Sequence, residues 1–307
     1  MADSPTDESR QAKPSPRRTL RDRLDAGDLV VAPGGTSPLT ARIIERLGFP
    51  AIYLGGNAIG LDLAIGQPLV TLTETLDALS NTRSRVDVPI IVDVGAGFGA
   101  PSNVRRTVRE CERLGADALQ IDDQPYPKSV NYHRGRSTIA PLRVACDRLR
   151  AATAARTRPD TLIIARTDAL RVTGSVDAVL ERCTAYAAAG ADVLMILDLT
   201  PAGLTDLAAK LPALPIAWIG GVSDAGPSLA ELSAAGFHLA VYPFTTVRTV
   251  VTSVTAVWTA LRDHGQLPSP TDGRWALAEA LRLAAMEQSW EIEDLIDDPG
   301  THNVESE

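Results

Sequence analysis

Aromatic residues make up only 4% of this 307-residue chain, so Ala, Val, Leu and Ile must fill its core. The three cysteines, Cys111, Cys146 and Cys183, are odd in number, far apart and never in a CxxC arrangement. That spacing excludes a disulfide framework and a zinc site; it predicts small buried thiols kept reduced in the cytoplasm. No apolar run is long enough to cross a bilayer. The opening stretch MADSPTDESRQAKPSPRR lacks the apolar centre of a secretory signal, and its Ser, Pro and charge content predicts a disordered tail over 1–20. A formal charge of −8 argues against nucleic-acid binding, which needs a basic stripe. Arg105, Arg106 and Arg109 form the one local basic cluster, and their helical spacing predicts a solvated helix face.

Apolar, strand-like runs are plentiful. They occupy 30–35, 51–56, 89–95, 118–124, 161–169, 193–199, 215–220 and 238–244, and a helical pattern follows each. Continuous apolar strands separated by helices imply a parallel sheet buried on both faces. Eight such units predict a (β/α)8 barrel over 21–265, with its chemistry at the C-terminal strand ends. The run TTVRTVVTSVTAVWTALRD is rich in β-branched residues, but its length and place after the last strand predict a helix over about 246–264. A Pro- and Gly-containing segment then opens a C-terminal helical segment and acidic tail over 266–307, with a helix near 273–288. Trp290, Ile292 and Leu295 have little reason to join a finished barrel, and are expected to dock on a neighbouring subunit of a homo-oligomer, dimer or tetramer.

The segment IIVDVGAGFGAPSN admits two readings. Gly95, Gly97 and Ala100 fit a dinucleotide-binding pattern, with Asp117 or Asp122 roughly 20 residues further on. The unit is third in the chain rather than first, which counts against that reading. Alternatively Asp93, at the end of the third strand, holds a hard cation such as Mg2+, or simply caps the next helix. Asp122 and Asp123 end the neighbouring strand. Three carboxylates converging on one mouth would raise at least one pKa unless a cation or a lysine, here Lys128, stands among them.

The blocks PIIVDVGAGFGAPSNVRRTVRECERLGADALQIDDQPYPK, IIARTDAL and AYAAAGADVLMI resemble the isocitrate lyase and phosphoenolpyruvate mutase superfamily. The resemblance runs from about Leu20 to the C-terminal helix. It implies a barrel, usually a tetramer of dimers that exchange a terminal helix, binding Mg2+ (or Mn2+) and a 2-oxo acid or its enolate. Carried over by position, Asp93 and Asp122 would be metal ligands, Asp122 replacing a glutamate. Lys128 would be a catalytic lysine near the substrate, and Arg166 would grip the substrate carboxylate with its planar fork. Tyr53, Gly55 and Gly56 fall on the segment that binds the oxo-carboxylate. Asn103 would shape the glycine loop.

Departures from that pattern carry information too. Gly95 and Gly66 stand where acids are usual, Gly55 replaces a serine, and Asp122 is shorter than glutamate by ~1.5 Å at most. Such a site implies either a pocket enlarged for a bulkier substrate or weakened metal dependence. The lyase cysteine is absent: the loop reads KSVNYHRGRS, with Val130 at that position and Cys146 the nearest thiol. Asn131, Tyr132 and His133 occupy this loop instead, so Asn131 is a candidate substrate contact and His133 a candidate proton carrier. The expected activity is a carbon–carbon lyase or decarboxylase acting on a small 2-oxo or 2-hydroxy di- or tricarboxylate. Phosphonopyruvate mutase or hydrolase chemistry is the alternative, and a barrel that only binds is the third.

Overall fold

The structure, a computed structural model, describes residues 18–221, 226–268 and 277–297. Its centre is eight parallel strands: β1 (Val30–Pro33), β2 (Ile52–Leu54), β3 (Ile90–Asp93), β4 (Ala118–Asp122), β5 (Leu162–Thr167), β6 (Val193–Ile196), β7 (Ile216–Ile219) and β8 (Leu239–Tyr242). Each lies inside one of the apolar runs read from the sequence. They pair in the order β1-β8-β7-β6-β5-β4-β3-β2. The remaining seam, between β1 and β2, is narrow: Gly34 bridges Tyr53, and the Gly35 N–H donates to the Tyr53 carbonyl at 3.1 Å. The (β/α)8 barrel follows, and the doubly wound dinucleotide fold is excluded.

Strand side chains alternate between two compartments. Ile91, Ala118, Leu162, Ile164, Val193 and Met195 fill the barrel interior. Ile90, Val92, Leu119, Ile121, Ile163 and Ala165 face outward into the layer beneath the helices. A short helix, α1 (Leu20–Asp25), starts at a Thr19 capping box and places Leu20 and Leu24 against the interior cluster.

The connections supply α2 (Pro38–Arg46), α3 (Gly56–Asp62), α4 (Leu72–Arg83), α5 (Pro101–Arg113) and α6 (Leu142–Ala155). Then come α7 (Ala169–Thr173), α8 (Val176–Ala188), α9 (Pro201–Leu207), α10 (Leu229–Ala235) and α11 (Thr245–His264). Arg105, Arg106 and Arg109 lie on the exposed face of α5. No described helix is long and apolar enough to cross a membrane.

The expected eighth helix is present as α11, but only Val247 of its 20 residues is buried. Val250, Val251, Val254, Trp258 and Leu261 stay exposed along it, Trp258 at 59%. Beside it an apolar groove of about 460 Å³ opens over the outer face of β1 and β8, walled by Val31, Ile43, Leu47, Phe49 and Tyr242. The expected terminal helix is two helices, α12 (Leu277–Leu283) and α13 (Met286–Asp297), separated where Ala285 takes φ +56°. Helix α12 reaches back to α2 through Arg46–Glu279 at 3.2 Å and an Arg42 bond to the Leu283 carbonyl. Trp290, Ile292 and Leu295 remain exposed. The tail expected over 1–20 lies outside the described residues up to position 17, as does the chain beyond Asp297.

The seam makes one residue critical. A Cβ on Gly34 would sit 2.8 Å from the Pro243 carbonyl oxygen and 2.9 Å from that of Tyr242, both backbone atoms with no rotamer to yield. We expect Gly34→Ala to destabilise the barrel by about 1–3 kcal/mol, as overpacking usually does. An unchanged denaturant midpoint would show that the seam is not tight.

Candidate active site

The C-terminal ends of β2 to β6 form one mouth. Asp93 is buried at the end of β3, where its Oδ1 accepts the Gly95 N–H at 2.9 Å and its Oδ2 accepts the Gly56 N–H at 3.3 Å. Burial, reinforced by the Asp122 charge, holds its carboxyl above the usual range against the pull of Arg166 and Lys128. Asp122 is buried on β4; its Oδ1 accepts the Gln124 N–H, and its Oδ2 has no hydrogen bond but lies 3.5 Å from Lys128 Nζ. Lys128 Nζ also donates to Gln67 Oε1 at 3.0 Å and sits 4.5 Å from the centre of the Tyr132 ring.

Arg166 stands directly beside Asp122 in the ladder. Its Nε and Nη2 donate to the two oxygens of Asp168 at 2.8 and 3.2 Å, and Nη2 also reaches the Tyr132 hydroxyl at 3.4 Å. Burial opposes the guanidinium charge, but Asp168, Asp122 and Asp93 outweigh it and keep the group protonated. Asp168 is buried as well; burial pushes its carboxyl up, yet Arg166 and a bond from Gln124 Nε2 bring it below the usual range. Tyr53 is buried too, and its phenol, raised well above its usual pKa by burial, donates to Gln120 Oε1 at 2.6 Å.

Tyr53, Gly55, Asp93 and Arg166 share one cavity of about 410 Å³, with Gln67, Tyr132, Arg171 and Asp198 also in its wall. Lys128 lines an adjoining chamber of about 40 Å³ that meets the cavity at Gln67 and Asp93. Gly56 lines that chamber too, so its N–H orients Asp93 while Gly55 faces the larger space. A Cβ on Gly55 would meet the Tyr53 ring at 3.0 Å. Asn131 does not line either space; its N–H bonds to Ser129 Oγ within a 3-10 turn over Val130–Arg134. His133 lies on the same turn, but its side chain falls outside the described residues.

The expected convergence of three carboxylates does not occur. Asp123 points away from the mouth, because strand alternation sends it to the opposite side from Asp122. There it accepts from Thr167 Oγ1 (2.7 Å), the Asp168 N–H (3.0 Å), Arg182 (3.0 Å) and Tyr186 (2.8 Å), tying β4 and β5 to α8. Glycines in the third loop answer to packing. A Cβ on Gly97, where φ is +78°, would lie 2.5 Å from Val104, and Asn103 caps α5 by accepting the Ala100 N–H. Asp117 bonds to the Ile90 N–H and has no part in the mouth. Cys146 is buried in α6, and that burial raises its thiol pKa.

Would Mg2+ suit these residues? Asp93 and Asp122 face inward on adjacent strands with lone pairs to spare, and Asp122 Oδ2 accepts nothing. Mg2+ commonly takes one or two protein carboxylates and keeps several waters, so the pair fits it. Among the described residues no three acids, histidines or cysteines gather at one point. Water and substrate oxygens would therefore complete the shell. Gly66 and Gly95 leave open space: a Cβ on Gly95 meets nothing within 4 Å, and one on Gly66 meets only Pro68 at 3.8 Å.

Sequence reasoning missed Asp168, Gln67, Tyr132 and Arg171 as parts of this site. Asp168 was signalled by its place two residues after Arg166, the spacing that returns a side chain to one face of an extended chain. Gln67 and Tyr132 carry no such signal, since loops from distant parts of the chain bring them in.

The chain matches the family model described as phosphoenolpyruvate phosphomutase over residues 20–262. It is 34% identical over 281 residues to 2,3-dimethylmalate lyase of Eubacterium barkeri, an alignment covering 89% of this chain and 96% of that one. Over 258 residues it is 38% identical to 2-methylisocitrate lyase of Aeropyrum pernix, covering 81% and 79%. The solved structure of phosphoenolpyruvate phosphomutase from Streptomyces platensis subsp. rosaceus superposes with a TM-score of 0.83 at 31% identity, covering 90% and 97%.

Asp168→Asn keeps the shape of this site but leaves the buried Arg166 charge without its partner. We expect a loss of about 3 kcal/mol, as for breaking other buried pairs. Folding depresses the Asp168 pKa below its ordinary 3.8, so its stabilisation is complete above that value and fades as pH falls below it. Denaturation midpoints of the two proteins should differ most at neutral pH and converge in strong acid. Equal midpoints at pH 7 would contradict the pairing.

Proposed function

Because this chain belongs to the phosphoenolpyruvate phosphomutase family, we propose that it is a lyase breaking a carbon–carbon bond in a small 2-oxo or 2-hydroxy di- or tricarboxylate. The observation that carries this reading is the shared cavity: Asp93 and Arg166 face one space, and Lys128 stands in the chamber that opens beside it. The named lyase relatives act on substrates of this class.

In such a cleavage the 2-hydroxyl loses its proton and its carbon becomes a carbonyl. The adjacent carbon–carbon bond breaks, and its electron pair passes to the departing fragment as an enolate-like carboxylate, which then takes up a proton. Arg166 holds a substrate carboxylate, its planar fork oriented and kept charged by Asp168. Tyr53 stays neutral and fixes Gln120, while Gly55 lets the turn after β2 pass close to the Tyr53 ring. Lys128, steadied by Gln67 and Asp122, places positive charge beside the developing oxyanion. Mg2+, or Mn2+ in its place, held by Asp93 and Asp122, would supply a Lewis acid for that oxygen. Tyr132 touches both Lys128 and Arg166, so the 129–137 loop can exclude water above the substrate. His133 on that loop is the proposed proton carrier, and Asn131 the proposed outer contact.

Pyruvate release with Mg2+ present tests the reading. We expect turnover of 2-methylisocitrate or 2,3-dimethylmalate, and a drop in kcat/KM of about 100-fold for Arg166→Lys, the order lost when a positioning contact is displaced. No pyruvate from either compound, with phosphorus NMR showing conversion of phosphonopyruvate, would move the chain to phosphorus chemistry. The resemblance to a phosphomutase structure makes that the second reading. Silence in both assays would leave a binding barrel.

We further propose that the active form is a cytoplasmic homo-oligomer in which a second copy covers α11 and the adjoining groove. The exposed apolar stripe through Trp258 supports this, as do the three buried, unpaired cysteines for a reducing compartment. Light scattering should give a dimer or tetramer, and Trp258→Asp should shift it toward monomer. A monomeric wild-type protein would defeat the proposal.

A further inference from the structure

A second guanidinium enters the cavity wall. Arg171, on α7, lies five residues after Arg166, and its Nε and Nη2 donate to the two oxygens of Asp198 at 2.7 and 2.5 Å. Asp198 lies two residues beyond β6, the strand paired with β5, so the two residues join neighbouring rim loops. Both line the 410 Å³ cavity together with Arg166. Their side chains are 40% and 48% exposed, which places them toward the opening while Arg166, at 6%, lies at depth.

Two features suit this pair, placed in the cavity wall, to holding a ligand. Asp198 holds φ +65°, a left-handed backbone that L residues adopt at a cost and that clusters at ligand sites. The pairing also consumes one edge of the guanidinium only. Of five N–H donors, two go to Asp198, and the other three make no hydrogen bond among the described residues. Asp198 thus holds Arg171 in one orientation and leaves its remaining edge for a planar anion.

We propose that Arg171 is a specificity-determining residue that binds the second carboxylate of the substrate, with Asp198 as its positioning residue. The ligand class is a short 2-hydroxy or 2-oxo acid with a charged group at each end. One carboxylate sits deep on Arg166, the other near the rim on Arg171. This rests on the lyase reading above, and it adds a reason why a monocarboxylate would be a poor ligand. A rim site held by an exposed pair also lets the departing carboxylate fragment leave first.

The experiment is calorimetric titration of the full-length protein with succinate, with its monoamide succinamate, and with oxalate as a probe of the deep site. Wild type should bind succinate at least about 10-fold more tightly than succinamate, the range of one charge-assisted hydrogen bond. In Arg171→Met that preference should vanish through weaker succinate binding, with succinamate and oxalate affinities unchanged. Arg171→Lys should restore part of it. If Arg171→Met weakens all three ligands equally, or none, Arg171 is only a rim ion pair and the inference fails while the lyase reading stands. If wild type binds neither oxalate nor succinate, both fail together.

Discussion

Two-residue alternation along β3, β4 and β5 governs everything at the mouth. These strands are buried on both faces, so each side chain must enter either the barrel or the helix layer. Ile91 and Asp93 face inward, as do Gln120 and Asp122, and Ile164 and Arg166. The parallel register sets Asp93 beside Gln120 and Asp122 beside Arg166. A slip of one residue in any of these strands would turn its charged group into the apolar outer layer. The same rule explains why consecutive acids, Asp122 and Asp123, have unrelated duties. One pairs with Lys128 inside the mouth, and the other fastens α8 to the sheet.

Burying these charges is costly, and the site offsets the cost unevenly. Arg166 is compensated by Asp168, which holds it with two bonds. Asp93 is less well served: two backbone N–H bonds and distant cations do not cancel burial and the nearby Asp122 charge. Three carboxylates, Asp93, Asp122 and Asp168, stand against two cations, Lys128 and Arg166. That excess of one negative charge fits a site completed by a cation together with an anionic substrate. Lys128 neutralises part of it from the side chamber, and glycine at positions 66 and 95 adds no further acid.

Outside the mouth, the layer of helices is incomplete by itself. The seven connections between strands lay helices against the sheet, but α11, which follows β8, turns nearly all of its surface outward and leaves the groove over β1 and β8 open. Apolar residues at Val250, Val254, Trp258 and Leu261 repeat at helical spacing, so this is a face that burial would stabilise. The same β-branched residues that made α11 ambiguous as a helix form much of that face. Helix α12 is held to its own α2 by one ion pair and one hydrogen bond, whereas Trp290 and Leu295 of α13 remain exposed among the described residues.

The amino-acid sequence alone determined the eight strands, their parallel order and the C-terminal rim as the place of chemistry, because burial on both faces writes a continuous apolar run for every strand. It also placed Asp93 and Asp122 at strand ends, while Lys128 and Arg166 were marked by the resemblance to the isocitrate lyase and phosphoenolpyruvate mutase superfamily. Tertiary structure decided what those residues meet. Gln67 reaches Lys128 across 61 positions and Tyr132 reaches Arg166 across 34, by loop paths that no local pattern encodes. It also separated Asp123 from Asp122 and Gly56 from Gly55, and broke the last helix at Ala285. Periodicity is a local property that a chain displays in one dimension; hydrogen-bond partners across loops exist only once the barrel has closed.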